Sequence, residues 1–228
     1  MRSRKKNNIA EIKAKAVDKS AQGGIIKEEK HDYKYLSPAE MPEWRKSTAN
    51  CSDKDYNQIY SHNGGGYIRT PNSFHINRAL RNNDLSNLSD DDKITIKTLQ
   101  SVIADNSTDR DVILVRYVRE DYISKNFGFT PVSMQSAVNR INNKFAETEV
   151  EEKGFMSTSY DSNKNVFCNY PIKMVIQAPK GTHMFATKNH AESEVIFMSN
   201  TKYKILSARI LDNNGSSRQI EILCTVMN

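Results

Sequence analysis

Two glutamates stand directly before a short apolar run and could act together in catalysis. Glu192 and Glu194 flank Ser193, and the apolar run 195–198 follows. In an extended strand, residues two apart lie on one face, roughly 6–7 Å from each other. Repulsion between carboxylates this close raises the proton affinity of one of them. Such a pair suits a reaction with a positive, sugar-like transition state, as at a glycosidic bond. A solvated strand end has the same pattern, so both interpretations stay open.

One arginine lies inside a compact apolar segment. Arg116 occurs within residues 111–118, whose β-branched composition predicts a strand. A buried guanidinium needs a partner or a cleft, because burying it alone is costly. Its planar fork fits a phosphate or a carboxylate. An edge strand with one face in water would also accommodate Arg116, so the residue alone does not decide between the two.

Two further groups have side chains that could bind a ligand. Ser157, Thr158 and Ser159 form a run of hydroxyl residues in a predicted strand. One hydroxyl could hold a catalytic carboxylate in a fixed rotamer, although such residues are also ordinary strand formers. Asn77 and Arg81 are four residues apart and therefore share one face of a predicted helix. That face could present an amide and a guanidinium to a ligand, or it could face solvent.

The elements that must carry these residues fall into two halves. A helical pattern comes first, and a strand pattern follows after residue 110 without regular alternation of the two. This order predicts an α+β fold. The predicted helices cover about 53–62, 73–82, 91–104 and 133–145. The predicted strands cover about 111–118, 154–159, 171–177, 193–198, 203–211 and 219–226.

The charge of the chain is concentrated near its beginning. Of a net charge of +6 in 228 residues, +5 comes from residues 1–46. We predict that residues 1–36 form a basic leader, flexible or helical, and that residues 37–228 form a single domain. A nucleic-acid groove needs a basic stripe on the folded body, and the rest of the chain is nearly neutral. Nucleic acid is therefore not an expected partner.

Composition excludes further classes of protein and site. No apolar run approaches the roughly 20 residues of a membrane-spanning helix. Cys51, Cys168 and Cys224 are far apart in the sequence, which argues against a disulfide framework and a structural zinc site. The five histidines form no close ligand pair, so we expect no metal.

The combination of motifs is more specific than any one of them. A strand arginine, then Phe155 two residues before Ser157, then the pair Glu192 and Glu194, resembles the cholera-type mono-ADP-ribosyltransferase toxins. The likeness is closest to the enzymatic components of binary actin-modifying toxins and to single-domain exoenzymes. It runs from about residue 53 to the C-terminus. It implies N-terminal helices followed by two packed, mostly antiparallel sheets that form a cleft for NAD, the substrate of the family.

The resemblance also implies a role for each matching residue. Arg116 would hold the NAD phosphates, and Asn77 and Arg81 would hold other parts of the dinucleotide. Ser157 would orient Glu194, which would bind the ribose and stabilise the oxocarbenium-like charge as nicotinamide leaves. The aromatic ring that stacks on nicotinamide would be that of Phe167.

The acceptor follows from the residue two positions before the catalytic glutamate. In this family a glutamate there accompanies transfer to arginine, and Glu192 fills the position. The resemblance thus implies an arginine-specific toxin, monomeric and secreted, that acts in the host cytosol on a target such as actin or a small GTPase. Residues 188–191 would help to recognise this target, and a separate translocation component could deliver the toxin. Two alternatives remain: an NAD glycohydrolase on the same fold, and a non-catalytic docking module.

Overall fold

Helices precede strands along most of the chain. The computed structural model describes residues 31–60, 66–68, 72–161, 167–188, 193–212 and 218–227. This part of the chain contains six helices and one eight-stranded sheet, which confirms the α+β class. The helices are α1 (Met41–Thr48), α2 (Asp53–Ile59), α3 (Asn72–Asn82), α4 (Asp90–Ala104), α5 (Asp121–Phe127) and α6 (Met134–Lys144). The strands are β1 (Val112–Val118), β2 (Glu149–Glu152), β3 (Met156–Ser159), β4 (Ile172–Ala178), β5 (Met184–Ala186), β6 (Glu194–Phe197), β7 (Thr201–Leu211) and β8 (Gln219–Val226).

The sheet has two parts that meet at one narrow junction. Its strand order is β2-β7-β8-β4-β1-β3-β6-β5. Strand β1 pairs with β4 along its whole length, whereas it pairs with β3 only at Val115 and Ser159. The two sheets that the resemblance implied are therefore joined into one by this single residue pair. The pairing of β4 with β8 is parallel, and the other strand pairs of the described residues are antiparallel.

Sequence patterns located four of the six helices in the described part of the chain. The predicted helix at 91–104 is α4, which begins with a capping box between Ser89 and Asp92. Ser52 and Ser133 cap α2 and α6 in a similar way. Helices α1 and α5 were not predicted, since seven or eight residues carry little periodicity, although the equally short α2 lies within the predicted helix at 53–62. Helix α5 ends at Gly128, whose φ of 67° is left-handed and therefore favours glycine.

Two apolar cores hold the helices against the sheet. The first contains side chains from α1, α5 and α6 together with β1, β4, β7 and β8, including the fully buried Trp44 and Leu114. The second packs α2, α3 and α4 against β5 and β6, with Leu99 and Ile196 at its centre. Helix α3, which carries Asn77 and Arg81, is thus fixed beside the strands of the site.

The last residues of the predicted leader contact the domain. The backbone N–H of Ile113 in β1 donates a hydrogen bond to the carbonyl of Lys34 at 2.8 Å, and Leu36 is buried in the first core. Residues 1–30 of the predicted leader lie outside the described residues. The division into a leader and a domain therefore stays a prediction, but its boundary at residue 36 would cut through packed chain.

None of the described helices combines the length and apolar character needed to cross a bilayer.

Candidate active site

A large cavity brings most of the predicted site residues together. It has a volume of about 910 Å³ and is bordered by α3, β1, β3 and the start of β6. Glu192 lies outside the described residues. The predicted site residues that line the cavity are Asn77, Arg81, Arg116, Ser157, Phe167 and Glu194.

Hydroxyl groups hold both carboxylate oxygens of Glu194. Ser157 Oγ donates to Glu194 Oε1 at 2.7 Å, and Thr187 Oγ1 donates to Glu194 Oε2 at 3.2 Å. The Glu194 side chain is buried, and these two hydroxyl donors fix its rotamer beside the cavity. A buried carboxylate held in this way is a preorganised stabiliser for a positive charge that develops nearby.

The pairing of β3 with β6 explains why the serine meets the glutamate. Ser159 lies opposite Glu194 and Ser157 opposite Ile196 in this antiparallel register. The middle hydroxyl of the run, on Thr158, donates to the carbonyl of Val195 at 3.0 Å and so holds the two strands together. Ser157 thus contacts the carboxylate, whereas Thr158 stabilises the pairing of β3 with β6.

The chain turns sharply just before Glu194, contrary to the strand spacing expected there. Strand β6 begins at Glu194, and Ser193 has a φ of 50°, in the left-handed region that non-glycine residues seldom adopt. Ser193 therefore stands outside the regular strand. Glu192 lies outside the described residues, so its placement on one strand face with Glu194 stays a prediction.

Sequence analysis missed Thr187, the second residue that holds Glu194. Strands β5 and β6 form a hairpin in which Ala186 pairs with Val195, so Thr187 comes opposite Glu194. The backbone N–H of Thr187 donates to the Glu194 carbonyl at 3.0 Å, and Arg45 of α1 donates to the Thr187 carbonyl at 3.0 Å. Recognising the hairpin would have revealed this residue, but β5 has three residues and gives a weak signal.

A second, half-buried carboxylate organises the opposite part of the cavity. Glu152, at the end of β2, accepts hydrogen bonds from Arg81 Nε at 2.8 Å and from Arg81 Nη2 at 3.3 Å. It also accepts one from Arg116 Nη1 at 3.4 Å and one from the Gly154 N–H at 3.0 Å. Both arginines that were predicted to bind NAD thus meet on a residue that sequence analysis did not single out.

The charge state of Glu152 follows from these neighbours. Burial acts to raise the pKa of its carboxyl group. The charges of Arg116 and Arg81 and the hydrogen bonds from Arg81 and Gly154 outweigh burial, and the pKa lies below its usual value. Glu152 is therefore ionised at neutral pH.

Asn77 supports the wall of the cavity. Its amide nitrogen donates to the Tyr67 hydroxyl at 2.8 Å, and its amide oxygen accepts from the Phe155 N–H at 2.8 Å. The oxygen lies so close to the chain that a Cβ atom at Gly154 would come within 2.8 Å of it. Asn77 therefore joins α3 to the approach of β3, and any contact with a ligand would add to these bonds.

Two exposed aromatic rings lie at the cavity. Phe167 is 39% exposed, and its ring centroid lies 5.2 Å from that of Tyr170. Phe74 of α3 is 59% exposed and also lines the cavity, although sequence analysis did not single it out. Rings with this exposure can cover a flat heteroaromatic group.

Comparison with known proteins decides the family. The family model described as ADP-ribosyltransferase exoenzyme matches residues 10–226. The chain belongs to the ADP-ribosyltransferase exoenzyme family. The resemblance inferred from the motifs is therefore confirmed, and with it the membership of an enzyme family. Among the described residues, no three His, Cys, Asp or Glu side chains are grouped as metal ligands would be.

Individual members of the exoenzyme family show the same relationship. The epidermal cell differentiation inhibitor of Staphylococcus aureus is 25% identical over 164 residues, which span 63% of this chain and 66% of that protein, slightly under two thirds of its length. C3stau2 from S. aureus, solved with NAD, is 26% identical with a TM-score of 0.71 over 87% of this chain and 100% of that chain. Plx2a, an ADP-ribosyltransferase toxin from Paenibacillus larvae, shares the fold at 22% identity and a TM-score of 0.65, over 83% of this chain and 92% of its own.

Proposed function

We propose that this protein is a mono-ADP-ribosyltransferase toxin that transfers ADP-ribose from NAD to an arginine of a host protein and releases nicotinamide. The observation that carries the proposal is the fixed carboxylate of Glu194 in a cavity that also holds Arg81 and Arg116. A fixed anion and a pair of guanidinium groups match the two charged parts of the reaction, the developing ribose cation and the diphosphate.

NAD binding would use both ends of the cavity. Arg116 and Arg81 would bind the diphosphate, for which a guanidinium fork is suited, and Phe167 would stack on the nicotinamide ring. A cavity of about 910 Å³ lies in the upper part of the range typical for small-molecule and cofactor sites. The presence of NAD in the solved structure of C3stau2, a relative at 26% identity, supports this assignment.

The chemical step breaks the bond between the ribose carbon and the nicotinamide nitrogen. The bonding electrons leave with nicotinamide, and positive charge develops on the ribose. Glu194 would stabilise that charge, and Ser157 and Thr187 would keep its carboxylate from turning away. A charged group that is already oriented requires no reorganisation during the reaction, which is the usual source of a large electrostatic effect.

The acceptor assignment depends on Glu192. A carboxylate at this position can pair with an incoming guanidinium and direct one of its nitrogens towards the ribose carbon. The guanidinium of free arginine stays protonated far above neutral pH, so prior deprotonation is unfavourable. Glu192 would therefore take the proton late, as the new carbon–nitrogen bond forms. With water in place of arginine the same site would act as an NAD glycohydrolase.

The partners and location follow from the same proposal. The acceptor would be a host protein such as actin or a small GTPase, modified in the host cytosol by a secreted, monomeric toxin. A separate translocation component could deliver it.

One experiment tests the reaction and its acceptor together. The purified protein is incubated with NAD labelled in the adenylate part, with and without host-cell lysate, while free nicotinamide is measured. We expect nicotinamide release and label on a protein arginine, mapped by mass spectrometry. Release without protein label would support the glycohydrolase instead, and label on another residue type would contradict the arginine assignment. If no nicotinamide were released, the proposed reaction itself would be wrong.

A further inference from the structure

The position of Glu152 is unusual for a glutamate on a short edge strand. Strand β2 pairs with β7 on one side, and its residues alternate between exposed and half-buried positions. Glu149 lies at an exposed position of this strand, as is usual for a carboxylate. The Glu152 side chain is only 16% exposed and turns towards α3 and β1. Its burial needs an explanation, since desolvating a carboxylate is costly unless the group is paired.

The two arginines that Glu152 contacts come from different elements. Arg81 belongs to α3 and Arg116 to β1, and their positive charges repel each other when they approach one ligand. In the described part of the chain, the hydrogen bonds of both guanidinium groups go to Glu152. They use two of the five N–H donors of Arg81 and one of those of Arg116. The other donors remain for further acceptors.

The local chain conformation is adapted to this carboxylate. The N–H of Gly154 donates to Glu152 Oε1, and a Cβ atom at Gly154 would lie 3.3 Å from that oxygen. The same Cβ would approach the amide oxygen of Asn77 to 2.8 Å. Glycine therefore lets the chain fold closely over Glu152, and the carboxylate is held from one side by the backbone and from the other by arginines.

The charges of the cluster suit a diphosphate. One ionised carboxylate and two guanidinium groups carry a net charge of +1, and both arginines line the cavity. A diphosphate with two negative charges meets a positive site in which each guanidinium already has a fixed orientation. Order of this kind lowers the entropy cost of binding, because fewer side-chain rotamers are lost when the ligand arrives.

We propose that Glu152 is a positioning residue for substrate binding, which holds Arg81 and Arg116 side by side so that both can bind the diphosphate of NAD. This inference rests on the proposed function, because it concerns how NAD is held. It assigns Glu152 to binding and gives it no part in the chemical step, which occurs at the Glu194 end of the cavity.

The test compares the same substitution at two positions of β2. Glu152→Gln keeps the size of the side chain but removes the charge that orders the arginines, and Glu149→Gln is the matched control. We expect Glu152→Gln to raise the Kd for NAD, measured by calorimetry, and the KM for NAD about tenfold. Its kcat at saturating NAD should stay within about threefold of the wild-type value. Glu149→Gln should leave Kd, KM and kcat unchanged.

The possible outcomes separate this inference from the proposed function. If the wild-type protein neither bound NAD nor released nicotinamide, the proposed function would fail. If it did both and Glu152→Gln bound NAD as tightly as the wild type, or more tightly, the positioning role alone would be overturned. A tenfold fall in kcat with an unchanged KM for NAD would overturn it too.

A second variant covers loss of folding. Should Glu152→Gln fail to show a cooperative thermal transition, Glu152→Asp takes its place, since it keeps the charge but shortens the reach to two arginines. We expect the KM of Glu152→Asp for NAD to exceed that of the wild type, but by less than tenfold. A KM equal to that of the wild type would then overturn the proposal.

Discussion

The cavity contains one buried and one half-buried carboxylate, and different kinds of side chain hold them. Glu194 is held by the neutral hydroxyls of Ser157 and Thr187, whereas Glu152 is held by the cations Arg81 and Arg116. Hydroxyl groups fix a carboxylate without cancelling its charge. Guanidinium groups fix a carboxylate and also neutralise its charge. Because two of them contact Glu152, the cluster keeps a net positive charge.

This difference divides the cavity into two functional ends. The end at which hydroxyl groups hold a glutamate suits a group that becomes positive during the reaction. The end with excess positive charge suits a group that is negative throughout. Under the proposed function, the same residue type would support catalysis at one end and substrate binding at the other, and the partners of each glutamate would decide which.

The largest expected effect comes from removing the charge at the hydroxyl-held end. Glu194→Gln should lower kcat for nicotinamide release to water and for transfer to protein by on the order of a thousandfold, because the anion opposite the ribose cation is lost. NAD affinity measured by calorimetry should change little. A loss confined to NAD affinity would contradict the division of the cavity.

The next effect separates the acceptor from the donor substrate. Glu192→Gln should reduce transfer to arginine about a hundredfold, because the charge that directs the guanidinium is lost. Hydrolysis of NAD should persist at a substantial rate. The measurement pairs free nicotinamide with label on an arginine-containing acceptor. Equal loss of both activities, or retention of arginine transfer, would show that Glu192 does not act on the acceptor.

A smaller effect tests the two hydroxyls against each other. Thr187→Val should lower kcat about fivefold, and Ser157→Ala should lower it further, because the Ser157 hydrogen bond is shorter. The KM for NAD should stay close to that of the wild type in both. Thr201→Val, which removes a hydroxyl bound to the Met198 carbonyl away from Glu194, serves as the control. A fall in kcat of this control as large as that of Thr187→Val would indicate a general packing effect.

The smallest effect concerns stability and pH at the arginine-held end. Because the pKa of Glu152 is lowered in the folded protein, its contribution to stability is complete above its unfolded pKa of about 4.3. The contribution is lost as the pH falls through the folded pKa. At neutral pH the wild type should therefore be more stable than Glu152→Gln, as measured by unfolding in urea. This advantage should shrink by on the order of 1 kcal/mol when the pH is lowered to about 3. A constant difference would show that the charge of Glu152 does not stabilise the fold.

The sequence revealed those parts of the site that lie in recognisable local patterns. Arg116 interrupts an apolar strand, and the run that begins at Ser157 is conspicuous by composition. Their partners were harder to find, since Glu152 lies 71 residues from Arg81 and 36 from Arg116. Contacts over such distances depend on the order of strands in the sheet, which composition does not specify.

Local geometry limited the prediction in a different way. The predicted strand at 193–198 was interpreted with the period of a regular strand, but Ser193 is left-handed and the strand begins at Glu194. A two-residue periodicity holds only where the backbone is extended. The α+β class needed less detail, because the order of helical and strand patterns along the chain was enough.

The narrow junction between β1 and β3 has a consequence for how the protein responds to its substrate. Arg116 lies on one side of this junction and Ser157 on the other, and Val115 and Ser159 form the single residue pair across it. A dinucleotide bound as proposed would contact both sides and act as a non-covalent cross-link between two halves of the sheet. A ligand that binds only the folded state stabilises it. NAD would therefore stabilise the domain until the dinucleotide is cleaved.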